Sequence, residues 1–204
     1  MSGPGAASPL PAEFYARPAD AVARSLLGCV LVAVTSADRT SGRIVETEAY
    51  LGPHDPASHA AERIGRTARN QSMYGPPGIA YIYRSYGVHW CLNAVTGHHD
   101  YPAAVLIRAL EPREGIEVMR RRRIVDGMPL PDRALCSGPG RLTAALAITR
   151  ALDGHPLDRP PLWIEAGEAL ADADVVCGPR IGITRAAEWP LRYRQRASPW
   201  VSRG

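Results

Sequence analysis

The chain has 204 residues, 46% of them hydrophobic and 22% charged, with a formal charge of +4. A chain of that length buries close to ~70% of its unfolded surface, so its core needs neither disulfide nor metal, and the charge favours an anionic partner. All 24 basic residues are arginine, which excludes a Walker A loop, a pyridoxal-phosphate imine and a lysine-dependent lyase, since each needs a lysine amine.

Met1 to Pro11 are uncharged and rich in Gly, Ala, Ser and Pro, which predicts a disordered arm. Pro18 at the start and Gly28 past the end frame a helix over Pro18–Leu27. Cys29–Val34 reads as a buried strand, Ser41-Gly42 as a turn and Arg43–Leu51 as a second strand. A short helix is expected from Asp55-Pro56 toward Ala61, and a helical stretch from Arg66 until Pro76-Pro77-Gly78 stops it. Ile79–Val95 reads as a hairpin and Ala104–Leu110 as a strand. Helices are expected from Pro112 through Arg123 and from Ser137-Gly138-Pro139 through Ile148. Short strands near Leu162, Val175, Ile181 and Leu191 close the chain. Strands and helices mix without regular βαβ alternation, which predicts an α+β domain with a curved, mainly antiparallel sheet surrounded by helices.

The four cysteines, Cys29, Cys91, Cys136 and Cys177, show no CxxC spacing, and no His sits at ligand spacing to a second Cys. They read as reduced thiols, with no metal or cofactor expected. The longest apolar run, Leu26–Val34, is interrupted by Gly28 and falls far short of the ~20 residues of a membrane span. No membrane association is expected. Residues 63 to 86 hold Arg63, Arg66, Arg69 and Arg84 and no acid, and residues 180 to 204 are also strongly basic. Either a basic binding face or a solvated surface accounts for such runs. The tract Arg120–Arg123 ends a predicted helix, where the dipole favours cations, and reads as a solvated last turn.

Side chains alternate across a strand, so Val45, Thr47, Ala49 and Leu51 share one face of Arg43–Leu51. Ile44, Glu46, Glu48 and Tyr50 share the other. That second face is either solvated or a cleft holding a general base and an aromatic wall. In the hairpin, Tyr86-Gly87 suits a two-residue turn and puts a bulky aromatic at an exposed tip. Such a residue is incidental or a wedge that slips between stacked bases, and Arg69 and Arg84 nearby favour the wedge. Trp90, Tyr81 and Tyr83 read first as core aromatics, and a lone His59 as structural.

Five stretches in order carry a family resemblance: Gly42–Pro53 (with Glu-Thr-Glu-Ala-Tyr), Tyr81–Gly87, Leu106–Pro112, Leu135–Pro139 and Ser198–Ser202. From Phe14 to Ser202 the chain resembles the alkyladenine (3-methyladenine) DNA glycosylases of the non-helix-hairpin-helix type, as a bacterial member. The resemblance implies one glycosylase domain over residues 12–204 with a protruding tyrosine-tipped hairpin. It implies Glu48 as general base, with Arg108 beside the catalytic centre. Tyr50, His59 and Tyr83 are implied to enclose the flipped base, Asn93 to crowd the exocyclic amine of guanine, and Tyr86 to intercalate. Arg66, Arg69, Arg84 and Arg141 are the arginines expected on the DNA backbone. With an ideal two-residue turn Asn93 faces away from Tyr83, so a bulge is expected if both line one pocket.

The implied activity is base excision. An alkylated or deaminated purine leaves duplex DNA, and an activated water hydrolyses its glycosidic bond, leaving an abasic site without strand cleavage. The implied partner is double-stranded DNA carrying damaged purines. A monomer in the cytoplasm, at the nucleoid when on DNA, is expected. Two other readings stay open at this level: a damaged-DNA binding module without turnover, and a carbohydrate hydrolase using Glu46 and Glu48 as paired carboxylates.

Overall fold

In a computed structural model, residues 8–125 and 127–203 are described. They build one antiparallel sheet, packed on one face by short helices. The strands are β1 (Val30–Val34), β2 (Arg39–Tyr50), β3 (Ala80–Ser85), β4 (His89–Thr96), β5 (Ala103–Glu114), β6 (Asp158–Arg159), β7 (Leu162–Glu165), β8 (Val175–Gly178) and β9 (Arg192–Gln195). Their order is β3-β4-β5-β2-β1-β7-β6, with β9 also on β2 and β8 on β9. The long β2 is central: β5 runs along one edge, while β1 and then β9 share the other. No helix among the described residues is long and apolar enough to cross a membrane.

The helices are α1 (Ala12–Tyr15), α2 (Ala19–Ser25), α3 (Ile116–Arg122), α4 (Asp132–Leu135) and α5 (Pro139–Ala145). The apolar residues of α2, with Met119 of α3 and Leu142 and Ala145 of α5, pack against Ile44, Ala49, Ile82, Leu92, Ala94, Val105, Ile107 and Leu110 of the sheet. Burying each of the valine, leucine, isoleucine and methionine side chains among them contributes ~1.5–3 kcal/mol relative to leaving it exposed. These helices are too short to persist alone, and that shared apolar face is what holds them. The opposite sheet face carries Tyr81, Val95 and Ala104 with Met73 and Ala60, and it is there that the polar residues collect.

Several boundaries differ from expectation, each for a local reason. Ser41-Gly42 is not a turn, because β2 runs straight through it. Gly42 is required by close packing: a Cβ there would lie 2.9 Å from Cβ of Leu110. The reversal falls earlier, at Thr35–Asp38, where Thr35 Oγ1 accepts from the Asp38 amide at 3.1 Å. Pro112 does not open a helix but lies in β5, which continues to Glu114. The helix starts only after Gly115, whose left-handed φ of 72° turns the chain. The expected helix at Asp55–Ala61 is a series of turns, only Gln71–Tyr74 of the Arg66–Pro76 stretch is helical (one 3₁₀ turn), and Ile181 lies in a loop. Of the expected arm, residues 1–7 lie outside the described residues. Ser8–Pro11 run beside β7, with Leu10 buried and its amide donating to the Ile164 carbonyl at 2.8 Å.

The Arg120–Arg123 tract is not simply solvated. Arg120 pairs with Asp132 of α4, Arg122 with Asp38 at 3.2 Å, and Arg123 donates to the Leu135 carbonyl. The tract ties α3 to its neighbours, and only Arg121 stays largely exposed, at 67%. The four cysteines are free thiols; Cys29, Cys91 and Cys136 are buried and Cys177 is exposed.

Candidate active site

The site follows from strand register. Tyr81 pairs with Asn93, Asn93 with Leu106, and Leu106 with Glu48, so four strands carry these side chains in one row. Tyr83 lies opposite Cys91 one step toward the hairpin tip, and Ala104 links Val95 to Tyr50 one step the other way. Residues paired across a sheet point to the same face, so Glu48, Tyr50, Tyr81, Tyr83 and Asn93 share the face away from the helices. No bulge is needed for Asn93. The hairpin loop has three residues, Tyr86, Gly87 and Val88, since Ser85 pairs with His89. The expected two-residue turn would have changed that parity.

The bulges lie instead between β2 and β5. Ile44 pairs with Leu110, Glu46 with Ala109 and Thr47 with Ile107, leaving Val45 and Arg108 as the extra residues. The first bulge puts Ile44 in the helix-packed core, not on the Glu46 face as strict alternation predicted. The second leaves Arg108 on the side of Leu106 and Glu48. Its Nε donates to Glu46 Oε1 at 3.0 Å, and its Nη1 lies 3.1 Å from Glu48 Oε1.

The two glutamates differ in environment. Glu46 is enclosed: besides Arg108, its oxygens accept from Arg192 Nε at 2.7 Å, Ser202 Oγ at 2.8 Å and the Ser202 amide at 2.6 Å. It anchors β5, β9 and the Ser202 segment, fully buried. Glu48 accepts the Ile181 amide at 2.7 Å and the Tyr50 hydroxyl at 3.0 Å. It is fully covered, and its neighbours Tyr50, Leu106, Arg108 and Ile181 stand between it and the cavity they line. Burial pushes its carboxyl above the ordinary range, against the pull of Arg108, the Ile181 amide and Tyr50. Burial, and then the neighbouring Glu48, hold the Tyr50 phenol far above its usual value, so it remains a donor.

Over this row lies a cavity of about 590 Å³, enough for a purine nucleoside. Tyr50 and Arg108 form one wall, His59, Tyr81 and Tyr83 the other, and Asn93, Leu106 and Ala104 the floor. Tyr50 and Tyr83 stand on β2 and β3, with β4 and β5 between them. His59 meets Tyr83 edge to face, centroids 4.3 Å apart and planes at 81°, so these two rings do not form parallel plates. Its Nδ1 lies 2.9 Å from the Tyr81 hydroxyl. Burial, and behind it the charge of Arg69, lower the imidazole to about 4, leaving it neutral at pH 7. Asn93 donates to the Tyr81 carbonyl at 3.0 Å.

At the mouth, Tyr86 is 90% exposed and Val88 63%. Tyr86 and Gly87 both take left-handed φ, 49° and 69°, a conformation that costs a non-glycine residue energy. Arg69 and Arg84 line the mouth beside them. Arg69 also lies 5.5 Å from the Tyr83 ring centroid. Arg66 is turned away, paired with Asp100 at 2.8 Å and 4.2 Å above the Tyr74 ring. Arg141 is exposed on α5, bonded to Ser137 Oγ at 3.1 Å.

Sequence reasoning did not single out Arg192, Ser202, Arg180 or the Ile181–Ile183 loop; Tyr81, read as a core aromatic, is buried in the smaller core cluster and lines the cavity as well. The first four lie far along the chain from Glu48, and no spacing rule links them to it. A signal for Tyr81 was present: it shares parity with Tyr83 on one strand.

Comparison with known proteins places the chain among relatives. The family model described as methylpurine-DNA glycosylase matches residues 13–199. The chain is 48% identical over 200 residues to a protein of Rhodopseudomonas palustris (strain HaA2) named "Putative 3-methyladenine DNA glycosylase", covering 98% of this chain and 93% of that one. Proteins with the same name from Nitrosospira multiformis and Myxococcus xanthus are 48% and 46% identical, covering 94% and 96% of this chain and 92% and 94% of theirs.

Proposed function

The chain belongs to the methylpurine-DNA glycosylase family, and we propose that it excises alkylated purines, 3-methyladenine first among them, from duplex DNA by hydrolysis. The observation that carries this reading is the buried Glu48–Arg108 pair behind a purine-sized, aromatic-walled cavity, with a tyrosine and two arginines at its mouth. Family membership makes the protein a DNA-repair hydrolase of alkylation damage. The steps below are our reading of how this site performs that work.

A base must leave the stack before its glycosidic bond is accessible. Tyr86 enters the gap, and the base enters the cavity, where Tyr50 covers one side and Tyr83 with His59 the other. A purine alkylated at N3 or N7 is cationic and departs readily. Electron-rich rings attract it, and the neutral His59 adds no repelling charge. Glu48 takes a proton from water as that water attacks the sugar carbon, and its charge offsets the positive charge growing on the sugar. For this the Tyr50 hydroxyl gives up its bond to Glu48 Oε2, so that water takes its place. Arg108 orients Glu48 and pulls against the burial that favours its neutral form, and Glu46 keeps Arg108 in place. Asn93, held by the Tyr81 carbonyl, excludes the exocyclic amine of guanine. Water as nucleophile yields free base and an abasic site. Without lysine no side-chain amine forms an imine, so the reading contains no strand cleavage by that route. Hypoxanthine and ethenoadenine are secondary candidates, since the cavity walls recognise a flat ring rather than one substituent pattern.

Single-turnover release of free base from duplexes carrying 3-methyladenine, hypoxanthine or ethenoadenine tests the reading. Glu48→Gln keeps shape but cannot accept the proton, so release should fall ~10²- to 10⁴-fold while lesion-duplex binding persists. A Glu48→Gln protein that releases base at the normal rate would remove Glu48 from the mechanism.

A further inference from the structure

Arg180 and Asp55 are fully buried and joined by a two-pronged ion pair, Nη1 to Oδ2 at 2.5 Å and Nη2 to Oδ1 at 2.9 Å. Removing two charges from water is costly, and apolar residues of equal volume often stabilise a fold as well or better. Stability alone therefore does not account for the pair. Its connections are specific. Arg180 Nη1 also donates to the Ala49 carbonyl at 3.0 Å, and its guanidinium lies 4.7 Å from the Tyr50 ring centroid. Asp55 accepts the amides of Leu51 and Ala57 at 3.2 and 3.0 Å, which shapes the loop between Tyr50 and His59. The residue after Arg180 is Ile181, whose amide rests on Glu48.

One guanidinium thus joins three segments that each bring a group to the site: the end of β2 with Tyr50, the loop leading to His59, and the loop supplying the Ile181 amide. We propose that Arg180, held by Asp55, is a positioning residue that keeps the Ile181 amide on Glu48 and the Tyr50 ring against the cavity wall. It touches neither base nor water. The proposal rests on the reading of Glu48 as the general base. Loss of the clamp lets the amide move from Glu48, and the carboxylate then binds a proton more readily. The other groups facing Glu48 are Glu46 and Tyr50 on its own strand, Arg108 on β5, Cys91 on β4 and, through Glu46, Arg192 on β9. Of these groups only Tyr50 meets Arg180, so a change at Arg180 reaches Glu48 through the Ile181 amide and the Tyr50 hydroxyl, and loss of either bond moves the carboxyl the same way.

The test uses Arg180→Lys, which keeps a cation opposite Asp55 but loses the planar fork, and Asp55→Asn, which disturbs the clamp from the loop side. Base release in single turnover is measured against pH, and the Glu48 carboxyl is titrated by NMR in carbon-13-labelled protein. Both variants should show the acid limb and the carboxyl titration moved up by about one pH unit. The plateau rate should fall ~10-fold or more, since small misplacements at a reacting centre are costly. Variants that melt earlier but keep the wild-type limb and titration would reduce the pair to a structural staple and overturn the proposal. Should one variant fail to fold, the other decides by the same two readouts. A wild-type protein that releases no base sinks the glycosylase reading instead. The carboxyl titration then judges the clamp by itself: an upward move supports it, and none refutes it.

Discussion

The residue scale shows one chemical type put to two uses. Glu46 and Glu48 are two positions apart on one strand and equally buried, yet their partners separate them. Four bonds from Arg108, Arg192 and Ser202 hold Glu46, three of them on one oxygen. Glu48 keeps one oxygen on the side-chain hydroxyl of Tyr50, a cavity-lining residue. His59 shows burial acting on a different group. Its imidazole is held at about 4, against an ordinary value near 6.5. A group whose folded pKa lies below its unfolded one favours the fold above the unfolded value. That contribution fades as pH falls from 6.5 toward 4. The stability lost reaches on the order of 2 kcal/mol by about pH 4.5. The raised Glu48 carboxyl acts with the opposite sign, so the comparison must be between variants. Thermal melts at pH 7 and 4.5 should show His59→Gln losing less stability on acidification than the wild type. An identical fall in both would mean that the imidazole is already charged in the folded protein.

At the scale of elements, the β3–β4 hairpin positions two sets of residues at once. Its register sets Tyr81, Tyr83, Cys91 and Asn93 over the cavity and Ile82, Leu92 and Ala94 into the helix-packed core. Its three-residue loop then carries Tyr86 clear of the surface. On the proposed reading, a hairpin anchored by a core on one face would keep its tip from being pushed back by a duplex. Tyr86→Ser should therefore impair flipping and leave the chemical step alone. The rate loss should be large on a well-paired target and shrink when the damaged base is mispaired or single-stranded, where less stacking must be replaced. An equal loss on paired and unpaired targets would speak against a wedge. The expected hairpin matched the observed one in extent but not in loop length, since Tyr86-Gly87 signals a turn without counting its residues. Gly42 misled for a related reason: glycine marks close approach as well as reversal, and only the neighbouring β5 distinguishes the two.

For the whole molecule, the cavity mouth, the hairpin tip, Arg69 and Arg84 lie together, so DNA held at the mouth meets those arginines first. Each phosphate contact adds ~0.9 to the slope of log affinity against log salt on duplex DNA. Arg69→Ala and Arg84→Ala should each flatten that slope by about one unit, for any sequence. Arg66→Ala should do less, because Arg66 is already committed to Asp100. Arg121→Ala, on the exposed side of α3, should leave the slope unchanged. Were Arg121 to matter and Arg69 and Arg84 not, the DNA would bind the opposite face.

What the sequence determined by itself was local. Alternation on Arg43–Leu51 put Glu46, Glu48 and Tyr50 on one face, apolar patterning located the core strands, and the ordered motifs pointed to the family. The tertiary structure decided what depends on contacts between distant segments. The β2–β5 bulges shifted Ile44 into the core and Arg108 onto Glu48. The loop parity aligned Asn93 with Tyr81. The folding back of residues 180–202 supplied the Ile181 amide to Glu48, and Arg192 and Ser202 to Glu46. The physical reason is that side-chain direction has a period of two along a strand, which any stretch of sequence displays. Register between strands is set by which apolar faces meet and where a residue is extruded, and those are properties of the packed pair.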